Sequence, residues 1–183
     1  LTENAGRTGR EPDAPARDRE ARRLSAPTTG HMVRARVVGG MYDFAVVGVG
    51  PAGARVARRA AEAGYDVIGF EQGEIGTPLA CSGHVSRDIW EYTPDGARAE
   101  LLQNEVYGAD FHVGGPDSDA HSFYKDEPVS NVIDREELDR TLAEAATDAG
   151  AEIHDGHTVT GVDERLDSVE ISVSPDDGNP FTV

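Results

Sequence analysis

The chain has 183 residues, enough for one domain or a little more, and its 17 Lys+Arg against 34 Asp+Glu give a formal net charge of −17. That surplus of carboxylates repels phosphate backbones and excludes a general nucleic-acid binder, and no run of about 18 apolar residues is present to span a bilayer as a helix. A single cysteine, Cys81, excludes a disulfide framework within the chain and suits a reducing cytoplasm, while 38% hydrophobic residues with 21 Gly permit a core of modest size.

Charge is divided unevenly. Residues 1–40 hold eight Arg and five acids, a net of +3, whereas residues 41–183 hold nine bases and 29 acids, a net of −20. Lys125 is the only lysine. Carboxylates hold water and cations, and their mutual repulsion is screened at molar salt. The composition therefore points to a halophile's cytoplasmic protein; the scarcity of lysine argues against an acidic mesophilic protein.

Residues 1–40 are rich in Arg, Pro, Gly and Thr without a periodic apolar face, so they are expected to form a disordered tail. Arg22-Arg23-Leu24-Ser25 has the look of a twin-arginine signal, but no apolar stretch follows it, and the mixed charges disfavour a transit peptide. The tail reads as sequence lying ahead of a natural start at Met41. Residues 41–183 are expected to be a partial FAD/NAD(P)-binding domain, on the grounds that follow.

Tyr42 to Val47 is an apolar, β-branched run that predicts a buried strand. Gly48 to Gly53 is a turn, Ala54 to Ala63 a helix lined with small residues, and Gly64 its C-terminal stop. Asp66 to Phe70 predicts a second buried strand ending at Glu71, so the two strands are expected to be parallel across a βαβ crossover. Gln72 to Gly83 is loop-like. Ser86–Glu91 and Gly96–Gln103 predict short helices. Val106–Val113 and His121–Lys125 predict strands around a Gly114-Gly115-Pro116-Asp117 turn, and Asn131–Ile133 a short strand. Asp134–Ala149 predicts the longest helix. Asp134 and Glu137 are placed for a capping box, Leu138, Leu142, Ala145, Ala146 and Ala149 for the inner face, and Gly150 for the end. Glu152–His154, Thr158–Val162 and Ser168–Val173 predict strands, the last two a hairpin. The Pro-Asp-Asp-Gly-Asn-Pro turn and Phe181-Thr182-Val183 then resemble the middle of a β-meander, so the chain is expected to be a fragment.

Three constellations carry chemistry. In the first, Gly48 permits a tight turn, Gly50 lets backbone approach a pyrophosphate, and Gly53 lets helix and strand pack closely. The helix start offers N–H groups and a positive dipole end to phosphates. Glu71, 18 residues past Gly53, can accept hydrogen bonds from ribose hydroxyls, and an acid there favours FAD or NAD over NADP. The second constellation is Gly76-Thr77-Pro78-Leu79-Ala80-Cys81-Ser82-Gly83, a segment placed to run close to a cofactor. Cys81 is either a reactive thiol near a flavin, the candidate catalytic residue, or a small residue in a tight loop. The third is Asp134-Arg135. Asp134 is explained as a cap; Arg135 mismatches the helix dipole and so is a candidate partner for a phosphate, or else a solvated charge. His154 and His157 are metal-like in spacing, but strand and turn are expected to point their rings apart, and no metal site is assigned. His112 and His121 are placed either to meet across a hairpin or, the preferred reading, to be ordinary strand residues. No Ser-His-Asp set, Walker loop or Cys pair is present.

Taken together, the Gly48–Gly53 fingerprint, Glu71, the Gly76-Thr77-Pro78 and Cys81-Ser82-Gly83 segments and Ile133-Asp134-Arg135-Glu136-Glu137-Leu138-Asp139 resemble the geranylgeranyl reductase family of FAD-dependent oxidoreductases. The likeness is greatest to its archaeal lipid-saturating branch and covers roughly residues 41–173. It implies a Rossmann-like α/β FAD domain with an inserted β-region, lacking the C-terminal part and the substrate domain. By the resemblance, Gly48, Gly50, Ala52 and Gly53 hold the FAD pyrophosphate and Glu71 the adenosine ribose. Cys81, Ser82 and Gly83 match the loop past the flavin ring, where the family often has Cys-Gly in place of Cys-Ser. Arg135 matches an arginine that contacts FAD, and Val159 a residue whose backbone touches the adenine side.

The implied activity is reduction of isoprenoid double bonds in archaeal membrane lipids or their precursors. The flavin would deliver hydride and an outside donor, NAD(P)H or ferredoxin, would recharge it. A greasy substrate on an acidic protein implies a peripheral membrane encounter from the cytoplasm. The rival readings are a flavin monooxygenase, halogenase or quinone-linked dehydrogenase of the same architecture, and an inactive truncated fragment. The family's later Gly-Asp FAD motif and its aromatic-rich substrate sheet do not occur in these 183 residues.

Overall fold

The computed structural model describes residues 41–77 and 81–183. The expected tail at 1–40, and Pro78, Leu79 and Ala80 of the loop, lie outside the described residues. In chain order the elements are β1 (Phe44–Val47), α1 (Pro51–Glu62), β2 (Val67–Phe70), β3 (His84–Val85), a 3₁₀ turn (Arg87–Glu91), α2 (Ala97–Leu101) and β4 (Leu102–Val106). There follow β5 (Gly108–Phe111), β6 (His121–Tyr124), β7 (Ser130–Ile133), α3 (Arg135–Asp148), β8 (Glu152–His154), β9 (His157–Glu164), β10 (Val169–Pro175) and β11 (Phe181–Thr182).

The nucleus is a parallel three-stranded sheet in the order β1-β2-β8, with Phe44 opposite Val67 and Phe70 opposite His154. The helix α1 begins at Pro51, three residues earlier than the apolar pattern predicts. Proline suits the first helical position because its φ is already helical and the missing N–H has no intrahelical partner there. Gly64 ends it, its N–H reaching Ala61 O at 2.9 Å while Tyr65 N reaches Ala60 O at 3.1 Å, the two bonds of a Schellman turn.

Side chains on β2 alternate between two cores. Val67 packs with Ala57 of α1 and Ala146 of α3 on one face. Ile68 and Phe70 pack with Ile171 and Val173 of the β9-β10-β11 meander on the other. All four β2 residues are buried, as expected of a strand covered on both faces. The prediction for β1 is corrected: Phe44 and Val47 are exposed, because β1 lies at the edge of the sheet and β2 takes the central place.

A second antiparallel sheet, β3-β7-β4, stands beside this nucleus, and β5 and β6 form a separate hairpin. The helix predicted over Gly96–Gln103 stops at Leu101. Leu102 turns extended (φ −71°, ψ 117°) and pairs with Ile133, so sheet pairing overrides local helix preference. The strand predicted over Val106–Val113 is likewise divided at Tyr107, which starts the hairpin at Gly108. Phe111 stands opposite His121, and His112 Nδ1 lies 2.8 Å from Ser118 O, so the two histidines do not pair.

The helix α3 forms where the sequence places it, with one adjustment to its cap and one to its face. Glu137 N donates to Asp134 Oδ1 at 3.0 Å, but Asp134 N donates to Leu101 O at 2.9 Å. The capping box is therefore half formed, and the Glu137 carboxylate turns to Arg140, 3.5 Å away. The buried face is Leu138, Asp139, Leu142, Ala143 and Ala146. Ala143 and Asp139 stand where Ala145 and Ala149 were expected, a small rotation that matters for the site.

Candidate dinucleotide-binding site

The site is built where β1 turns into α1. Gly48 has φ +87°, a left-handed conformation that a side chain resists, and its N–H donates to Phe70 O at 2.8 Å. A Cβ on Gly53 would stand 1.9 Å from Gly48 O and 3.2 Å from Val46 Cγ1, so helix and strand approach as closely as only glycine permits. A Cβ on Gly50 would meet nothing within 4 Å; the space over that backbone is open. No side chain caps the start of α1 and no acid lies in its first turn. The N–H groups there and the positive end of the helix dipole are available to an anion.

Glu71 leaves the end of β2 half-buried and faces this turn. Its Oε2 accepts from Val49 N at 2.8 Å and its Oε1 from Gln72 N at 3.0 Å. Its backbone is clamped as well, with Glu71 N donating to His154 O and His157 N donating to Glu71 O, both at 2.8 Å. A carboxylate has about four lone-pair sites, so two remain for hydroxyl donors. The following loop folds back over α3, where a Cβ on Gly76 would stand 2.8 Å from Glu136 O. The result is a cleft of about 260 Å³ lined by Val49, Gly50, Glu71, the 72–77 loop and Asp139.

Of the residues singled out from the sequence, Gly50 and Glu71 line this cleft, and Gly48, Ala52 and Gly53 shape the turn behind it. Arg135 opens α3, half-buried, its Nη2 donating to Asp139 Oδ1 and Oδ2 at 2.9 and 3.1 Å. Cys81, Ser82 and Gly83 lie elsewhere. Cys81 is exposed, Ser82 Oγ accepts from His84 N at 3.3 Å, and Gly83 O accepts from Ile133 N at 2.9 Å beside β7. Val159 sits on β9 opposite Val173, packed against the core around Phe70. None of these four lines the cleft, and neither does Arg135, which reaches it only through Asp139.

The expectation for His154 and His157 is corrected. Their rings approach to 5.1 Å between centroids, because Phe70 stacks against both and gathers them onto one face. His154 Nε2 lies 2.8 Å from Glu152 Oε1, whose other oxygen accepts from the Tyr42 hydroxyl at 2.7 Å. Among the described residues no three His, Cys, Asp or Glu side chains are grouped to hold a metal ion.

Asp139 closes the Ile133–Asp139 motif in the sequence, where it is given no role of its own. It is 4% exposed and walls the cleft. Burial pushes its carboxyl above the ordinary range; the Arg135 charge opposes this, and the nearby Glu71 charge adds to it. The signal was present as an acid on the buried stripe of Leu138, Leu142 and Ala146, one turn after Arg135.

An open glycine backbone, an uncapped helix start and the Glu71 carboxylate converge, and buried Arg135 Nε has no partner. The donor set fits a dinucleotide with an anionic bridge. The architecture is that of the Rossmann-like FAD-binding oxidoreductases and halogenases. A myxobacterial chondrochloren halogenase of the FAD-dependent type matches 77% of this chain and 35% of its own length at a TM-score of 0.62, with 18% identity that supports the fold alone. The particular likeness is to reductases. The digeranylgeranylglycerophospholipid reductase of Thermoplasma acidophilum is 34% identical over 117 residues, which is 61% of this chain and 29% of that one. Its counterpart in Methanosarcina mazei is 30% identical over 141 residues, 66% of this chain and 30% of that one. A solved geranylgeranyl bacteriochlorophyll reductase-like protein from Thermoplasma acidophilum superposes at a TM-score of 0.63 with 30% identity, over 72% of this chain and 34% of that one. The chain therefore spans about three tenths of the length of the curated relatives it matches. No family model matches the chain.

Proposed function

We propose that residues 41–183 are the FAD-binding part of a geranylgeranyl reductase that saturates isoprenoid chains of archaeal membrane lipids or their precursors. The observation that carries the reading is the pairing of Gly50 and Glu71 across one cleft at the carboxyl end of the parallel strands. Identities of 30–34% to the named reductases, against 18% to the halogenase, favour reduction over halogenation.

In this reading Gly50, Ala52 and Gly53 offer backbone N–H groups and the α1 dipole to the pyrophosphate. Glu71 accepts from the ribose hydroxyls while keeping Val49 N in place. Arg135 supplies a cation to the same ligand, and the backbone of Val159 borders the adenine. Cys81, Ser82 and Gly83 border the flavin side, with Cys81 the candidate for a catalytic thiol. FAD held there and reduced by NAD(P)H or ferredoxin would supply a hydride to one carbon of a double bond, with the second hydrogen arriving as a proton from solvent. The chain's own contribution is to bind and orient. The partners are an isoprenoid lipid and the electron donor, met at the cytoplasmic face of a membrane; among the described residues no helix is long and apolar enough to cross one.

The test is equilibrium binding of FAD to the purified chain. Unsubstituted protein retains flavin, and Glu71→Gln, which keeps an acceptor for Val49 N but loses the charge, weakens binding about tenfold. Equal affinity of the two proteins removes Glu71 from the ribose, and no flavin binding by either removes the dinucleotide reading.

A further inference from the structure

We infer that Asp139 is a positioning residue for the dinucleotide site: from the wall of the cleft it fixes the guanidinium of Arg135 in the one orientation that meets the ligand. The inference rests on the FAD reading above and names a residue that the reading does not use.

The first support is geometric. Both Asp139 oxygens accept from a single Arg135 nitrogen, Nη2, at 2.9 and 3.1 Å. A pair formed for its own sake favours the two-pronged arrangement, in which two guanidinium nitrogens meet two oxygens. Here Nε stays buried without a partner. The guanidinium is thus held at one corner with donor capacity unspent, one residue back from the cleft: Asp139 lines the cleft and Arg135 stands behind it.

The second support is energetic. Asp139 occupies the buried stripe of α3, whose other members are Leu138, Leu142, Ala143 and Ala146. An apolar residue there would pack against the same core without desolvating a charge. Replacing a buried ion pair by apolar side chains is often neutral or stabilising. Burial outweighs the arginine's attraction at this carboxyl, and Glu71 adds repulsion. A charge that costs stability and shares a cleft with Gly50 and Glu71 is better explained by ligand binding than by folding.

The third support is positional. Arg135 precedes Asp139 by four residues, one helical turn, on the first turn of α3. Asp134 caps that turn through Glu137 N, which fixes the backbone from which Arg135 projects. Cap and carboxylate together leave the arginine little freedom before a ligand arrives, and pre-ordering of this kind lowers the cost of binding.

A double-mutant cycle on the full chain decides the matter, with FAD affinity and thermal unfolding both measured. Arg135→Gln and Asp139→Asn are each expected to weaken FAD about tenfold, and the double variant no more than the worse single one. Arg135→Met with Asp139→Leu removes the buried pair altogether; it is expected to unfold at the same or a higher temperature, yet to lose flavin as Arg135→Gln does. Losses that add in the cycle, or an Asp139→Asn protein that binds FAD normally, overturn the role of Asp139 while leaving the FAD reading intact. Failure of the unsubstituted chain to bind FAD overturns both.

Discussion

Phe70 and Phe123 are the same residue in opposite circumstances. Phe70 lies on the central strand β2, 1% exposed, with His154, His157 and Phe181 against its ring. Phe123 lies on β6, 66% exposed, with Phe111 edge-on at 5.6 Å as its one ring neighbour among the described residues. The first belongs to a nucleus covered on both faces by helices and meander. The second belongs to a two-stranded hairpin whose residues are almost all exposed. The contrast teaches that order in this chain is concentrated behind the cleft. The strand that carries Glu71 is the best buried element among those described, and aromatic content elsewhere does not by itself make a core.

Substitution can break or sharpen that contrast. Phe70→Ala is expected to cost about 4 kcal/mol in chemical denaturation, since it empties the space between β2 and the meander. Asp134→Ala is expected to cost about 1 kcal/mol, the usual worth of a cap, and to loosen the start of α3 without touching β2. Phe123→Ala is expected to change stability by less than about 1 kcal/mol, limited to its one ring contact. A Phe123 effect as large as that of Phe70 would show that something covers the hairpin in solution, and light scattering on the same sample would reveal association.

The parts written plainly in the sequence are those where one physical requirement dominates. Gly48, Gly50 and Gly53 answer to backbone geometry that other residues meet poorly, so the turn, the helix and the parallel strands follow from them. Asp134 answers to an exposed N–H on α3, and half of the expected box forms. What could not be read depends on neighbours far along the chain. Leu102 leaves its helix because Ile133 offers a ladder partner, and the His154 and His157 rings meet because Phe70 brings them together. Asp139, read only as the end of a motif, is given no role for a related reason. As an i+4 neighbour of Arg135 it passes for a surface ion pair, and only burial on the inner face of α3 marks it as costly.

Gly69 lies in the middle of β2, between Ile68 and Phe70. A methyl group there would press within 2.8 Å of Ile153 Cδ1 and 3.2 Å of Val49 Cγ2. Its bareness lets Val49 sink fully into the interior just as the chain leaves β1, bringing the Val49 amide down onto Glu71. The glycine-rich bend is thus moored to the strand beneath it at both side chain and main chain. An arriving nucleotide would find its cradle already rigid, and little of its binding energy would be consumed in shaping the protein around it.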